Sequence, residues 1–141
     1  LGVVFDMKVI LDHIGIAVDD LEEALGFYRE GLGLNVEMTE NVPSQAVRAH
    51  FIETGKAKLE LLEATSTESP IARSIERRGV GLHHITFRVD DLVEALDHLR
   101  ERGVQLIDDV PRDGAEGALV AFIHPRSTHG VLVELKQERN G

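Results

Sequence analysis

Two histidines and two glutamates stand at matching places in this sequence. His13 is followed by IGIAVDDLEEAL and His84 by ITFRVDDLVEAL. Each opening is answered later by an apolar run holding one carboxylate, Glu60 in KLELLEA and Glu134 in VLVELKQ. Taken singly, a histidine in a strand is usually a packed or surface residue, and a glutamate in a half-buried strand usually faces water. The repetition alters that reading, because equivalent positions of a duplicated unit are related by a pseudo-twofold axis and all four side chains can converge on one point. Two imidazoles and two carboxylates without sulfur suit a divalent ion such as Co²⁺, Mn²⁺, Ni²⁺ or Zn²⁺. Octahedral geometry would leave positions for water or substrate, the arrangement of a catalytic rather than a structural ion. His83 aligns with Asp12 and shares the phase of Ile85 and Phe87, so His84 is the expected ligand. His50, His98, His124 and His129 have no histidine at the equivalent repeat position and are read as structural.

The elements that must position these residues follow from periodicity. Ile14, Ile16 and Val18 alternate with His13, Gly15 and Ala17, the pattern of a strand packed on one face. Asp20 with Glu23 forms a capping-box-like start, and the spacing predicts a helix of about three turns that Gly31 and Gly33 stop. Short strands are predicted over 35–40, 45–53 and 56–63. The polar segment ATSTES leads to a connector helix over 70–78, opened by Ser69 and Pro70 and ended by Gly79. The second half repeats the order: a strand over 82–89, a helix from Asp91 to about Arg102, then strands near 104–108, 118–124 and 130–136. Leu59 and Leu61 flank Glu60 as Val133 and Leu135 flank Glu134, so both carboxylates point away from the core, toward solvent or a lined cavity. The expected fold is α+β. Tandem β-α-β-β-β modules, about 9–63 and 80–137, form one domain over residues 1–141, a curved, barrel-like sheet around a metal-centred cavity.

Composition narrows the function classes. A chain of 141 residues with 43% hydrophobic and 28% charged residues is that of a soluble globular domain, and no apolar run approaches the roughly 20 residues of a membrane span. The absence of cysteine excludes disulfides, thiolate metal sites and a cysteine nucleophile, and fits a reducing cytoplasm. A net charge of −10 opposes a nucleic-acid partner, and an anionic small ligand would need a local basic patch. Met7 is the expected native start, with residues 1–6 an extension without a role.

The chain resembles the vicinal-oxygen-chelate superfamily and, within it, the methylmalonyl-CoA epimerase family. The resemblance runs from Leu11 to Gln137 through LDHIGIAV, KLELLEA, SPIARSIERRG, GLHHITFRVDDL and PRDGAEGALVAFIHPRSTHGVLVEL; HHITFRVDDL and FIHPRSTHGVLVEL are its more specific parts. It implies His13, Glu60, His84 and Glu134 as ligands of one divalent ion, foremost Co²⁺. It also implies an acyl-CoA substrate, a homodimer, and interconversion of (2R)- and (2S)-methylmalonyl-CoA. The C2 proton lies between a thioester and a carboxylate, and a divalent ion chelating an oxygen of each would stabilise the enolate left when that proton is removed. Epimerisation needs an acid/base group on each face of the planar intermediate. Glu134 is the first candidate and Glu60 the second. Some family members carry a further, non-ligand glutamate where this chain has Ala49, which leaves the second base open. A metal-dependent glyoxalase I, acting on a glutathione hemithioacetal, is the alternative activity, and a non-catalytic ligand-binding member of the superfamily the alternative class. The 2-His-1-carboxylate triad of the extradiol dioxygenases has no place for a fourth protein ligand.

Overall fold

The computed structural model describes residues 6–139 of the chain. Of the segment expected to be an extension, only Asp6 falls among the described residues. The described residues form two compact units, one of residues 13–83 and the other of residues 84–139 together with 6–12. No helix among the described residues is long and apolar enough to cross a membrane.

The unit of residues 13–83 contains most of β1 (Val9–Val18), α1 (Leu21–Leu25), β2 (Val36–Val42), β3 (Val47–Glu53), β4 (Lys58–Ala64) and α2 (Pro70–Arg78). Its strands lie in the order β2-β3-β4-β1, with β1 parallel to β4 and the other pairs antiparallel. Asp20 starts α1 by accepting the Glu23 N–H at 3.2 Å, and a carboxylate oxygen of Glu63 accepts the Leu21 N–H at 3.0 Å. Two of the amides that a helix start leaves without partners are thereby satisfied. The expected helix does run to Gly31, but from Gly26 it widens into a π-turn, where the Leu32 N–H reaches back to the Phe27 carbonyl at 2.9 Å. Leu21 and Leu25 of α1 pack on Ile16, Val18, Ile52, Leu59 and Leu61 from one face of the strands. On the opposite face, α2 lays Ile71 over Ala17, Val47, Ala49 and Leu62. As expected, Ser69 caps α2, accepting the Ile71 N–H at 3.1 Å, and Gly79, at φ 83°, ends it.

The second unit repeats this plan with β5 (Gly81–Val89), which enters it at His84, α3 (Leu92–Glu101), β6 (Arg112–Asp113), β7 (Leu119–Ile123) and β8 (Val133–Gln137), ordered β5-β8-β7-β6. Asp91 caps α3 through the Glu94 N–H at 3.0 Å, and Gln137 accepts the Leu92 N–H at 2.7 Å, the part that Glu63 plays in the first unit. Leu92, Ala95 and Leu96 pack on Val89, Ala121, Ile123 and Leu135. Leu25 and Leu96, at equivalent repeat positions, are both essentially buried, and each contributes about 1.5–3 kcal/mol of hydrophobic stabilisation. The strand expected near 104–108 is reduced to a single bridge between Leu106 and Ile123. A side chain has displaced the backbone ladder there. Asp108 accepts the Phe122 N–H through its carboxylate at 2.8 Å, while the Ile107 and Asp108 amides share the Phe122 carbonyl.

Candidate functional site

Each unit brings one histidine and one glutamate together. In the first, His13 Nε2 lies 3.3 Å from Glu60 Oε1, with side chains 7% and 13% exposed. In the second, His84 Nε2 lies 3.9 Å from Glu134 Oε1, with 8% and 15% exposed. The local reason is strand alternation. Leu59, Leu61, Val133 and Leu135 are taken up by the cores under α1 and α3, so Glu60 and Glu134 project from the opposite faces. The parallel pairing then sets each carboxylate beside the residue two positions after the histidine, Gly15 opposite Glu60 and Thr86 opposite Glu134.

These distances fit a shared ion. Two ligand atoms each about 2.1 Å from a metal stand about 3.0 Å apart when adjacent in an octahedron and about 3.4 Å apart in a tetrahedron. The His13–Glu60 separation lies within that range, while the His84–Glu134 separation is wider and falls short of the about 4.2 Å of two trans ligands; imidazole with carboxylate is a donor set that first-row divalent ions accept.

His83 belongs to the first unit, half-buried. Burial lowers its pKa from the usual imidazole value; the charge of Glu60 works in the opposite direction and Arg78 lowers it further. The remaining histidines with resolved partners serve local structure. His50 shares a hydrogen bond with the Thr39 hydroxyl at 2.8 Å, and His124 caps a turn by accepting the Arg126 N–H at 3.0 Å. Ala49 is buried in the apolar cluster under α2, and Glu40 is its cross-strand neighbour.

Three residues of these faces were not singled out from the sequence. Thr86, fully buried, donates its hydroxyl to Glu134 Oε1 at 2.6 Å. Phe51 is paired across the strands with Glu60, and Phe122 with Glu134. Phe51 also meets the His13 ring edge-on, centroids 5.7 Å apart at 89°. The signal for the phenylalanines was present as the Phe-Ile dipeptide in HFIE and again in AFIH, at equivalent places in the two halves.

Beyond the His–Glu pairs the two faces differ. Two positions after Gly15 and Glu60, on the same face, stand Ala17 and Leu62, roofed by Ile71. Their counterparts are Arg88 and Lys136, with Asp12 at 3.5 Å from Arg88 and 3.6 Å from Lys136.

Residues 12–122 match the Glyoxalase/Bleomycin resistance protein/Dioxygenase superfamily, and the chain belongs to that superfamily. Within it, the chain is a homologue of epimerases. It is 40% identical over 129 residues to the ethylmalonyl-CoA/methylmalonyl-CoA epimerase of Cereibacter sphaeroides, covering 90% of this chain and 96% of that one. A solved methylmalonyl-CoA epimerase in complex with methylmalonyl-CoA and ammonium superposes with a TM-score of 0.83 at 36% identity, covering 92% of this chain and 94% of that one. The uncharacterized protein YqjC of Bacillus subtilis is 49% identical over 125 residues, 89% of each chain.

Proposed function

We propose that this protein interconverts (2R)- and (2S)-methylmalonyl-CoA, with His13, Glu60, His84 and Glu134 holding one divalent ion, Co²⁺ foremost. The observation that carries the reading is the duplicated His–Glu pair, set at the same register in both units of a chain homologous to epimerases along nine-tenths of its length. When bound, the ion supplies positive charge to the oxygens on either side of C2, where negative charge develops as the proton leaves. Glu134 takes the C2 proton on one face. Glu60 serves the other, so that a proton removed from one side is replaced from the opposite side. Phe51 and Phe122, paired across from the two carboxylates, keep bulk water from quenching the intermediate. Arg88 and Lys136 are the cations on the second unit's face, and Asp12 beside both and Glu138 beside Arg88 balance their charge, so an anionic acyl-CoA would draw on them by exchanging these partners.

The reading carries with it a homodimer and a cytoplasmic setting, which rest on the habit of small superfamily members and on the absence of cysteine. The test is direct. Protein loaded with Co²⁺ is given one epimer of methylmalonyl-CoA in D₂O, and both formation of the other epimer and deuterium at C2 are followed. The expected result is both. Neither reaction, alongside turnover of a glutathione hemithioacetal, would replace the reading with glyoxalase chemistry.

A further inference from the structure

Glu134 has been assigned two tasks that make opposite demands. A ligand must stay in place, and a base must present an oxygen to a carbon-bound proton. The last torsion of a glutamate side chain is broad, so the carboxylate plane is not fixed by its own rotamer. Something outside it has to hold it. Thr86 sits opposite Glu134 in the β5–β8 register, is fully buried, and places its hydroxyl 2.6 Å from Oε1. That length is typical of a hydroxyl donating to an ionised carboxylate, among the stronger hydrogen bonds proteins make. Threonine is suited to the task because its branched side chain is stiff about the first torsion, and a hydroxyl fixed in a strand points in one direction. The duplication supplies an internal comparison. At the equivalent place beside Glu60 stands Gly15, which has no side chain to donate.

We infer that Thr86 is a positioning residue for Glu134: its hydroxyl fixes the plane of that carboxylate, so that one side chain can ligate the ion and still meet the C2 proton. The inference rests on the proposed function for its catalytic half and on His84–Glu134 geometry for its ligating half.

Two variants of the full chain test it, Thr86→Val, which keeps the shape and removes the hydroxyl, and Thr86→Ser, which keeps the hydroxyl and removes the methyl. Three quantities are read on each: Co²⁺ affinity by calorimetry on protein stripped with chelator, kcat and KM for epimerisation, and the thermal midpoint. Loss of a group that orients a metal ligand typically costs about 10–100-fold in metal affinity or activity. Thr86→Val is therefore expected to bind Co²⁺ more weakly and to lose kcat by a factor in that range, with KM and thermal midpoint close to wild type. Thr86→Ser is expected to recover affinity and kcat to within about threefold of wild type. If Thr86→Val does not fold, Thr86→Ala takes its place in the comparison with Thr86→Ser. Wild-type affinity and turnover in Thr86→Val overturn the inference, and so does an equal fall in Thr86→Val and Thr86→Ser, which would make the methyl group's packing the cause. Wild-type protein that binds Co²⁺ but leaves methylmalonyl-CoA unchanged overturns the proposed function instead, while the calorimetric comparison still decides whether Thr86 positions Glu134. Wild-type protein that binds no Co²⁺ overturns both.

Discussion

The two halves of this molecule share a scaffold and differ on the faces opposite α1 and α3. In residues 13–83, the His13–Glu60 pair is bordered by Gly15, Ala17 and Leu62, and α2 covers the far end with Ile71. In the other unit, the His84–Glu134 pair is bordered by Thr86, Arg88 and Lys136, with Asp12 beside the two cations. Under α1 and α3 the halves agree in kind: a capping aspartate, a buried leucine five residues after it, and a side chain from the last strand on the helix's first amide. Duplication supplies matching His–Glu pairs. Chemistry on an unsymmetric substrate needs the two sides to diverge, and the divergence lies on the faces opposite α1 and α3, where Ala17 and Leu62 join the apolar cluster under α2 and Arg88 and Lys136 are charged.

That contrast can be broken at several points. The largest effect is expected from removing the proposed ion: dialysis against a chelator should take epimerisation to background, and added Co²⁺ should restore it. Residual turnover in metal-free protein would mean that the carboxylates act without the ion. Next in size is the difference between the glutamates. Glu134→Gln keeps an oxygen that can ligate but cannot accept a proton, so turnover should fall by about 10²–10⁴ while the metal stays bound. Glu60→Gln should leave deuterium exchange from one epimer and stop conversion to the other. Identical exchange patterns in the two variants would erase the functional asymmetry.

Smaller effects should be symmetric. Leu25→Ala and Leu96→Ala each empty a leucine site at the centre of a core and should each cost about 2–5 kcal/mol in denaturant unfolding. A large disparity would show that one core carries the fold. Smallest are the caps. Asp20→Ala and Asp91→Ala should each cost about 1 kcal/mol, since each removes one acceptor from a helix start of the same design.

The scaffold was legible because repetition and alternation are statements about backbone period. Ile14, Ile16 and Val18 against His13, Gly15 and Ala17, and Glu60 and Glu134 between their leucines and valine, fixed which way each side chain points. Less legible were features decided by a side chain competing with the backbone. Asp108 takes the Phe122 amide and dissolves the expected strand over 104–108, and the π-turn from Gly26 changes hydrogen-bond spacing without changing apolar spacing. Thr86 was invisible for another reason. In a strand, a threonine reads as an ordinary β-former, and only the register with β8 reveals that its hydroxyl meets Glu134.

The central claim is that the two His–Glu pairs serve one ion. Calorimetric titration of Co²⁺ into chelator-stripped wild-type protein, His13→Ala and His84→Ala tests it most directly. The account predicts one ion per wild-type chain and loss of tight binding in each variant alone. Two ions per chain, or wild-type affinity surviving in either variant, would contradict it.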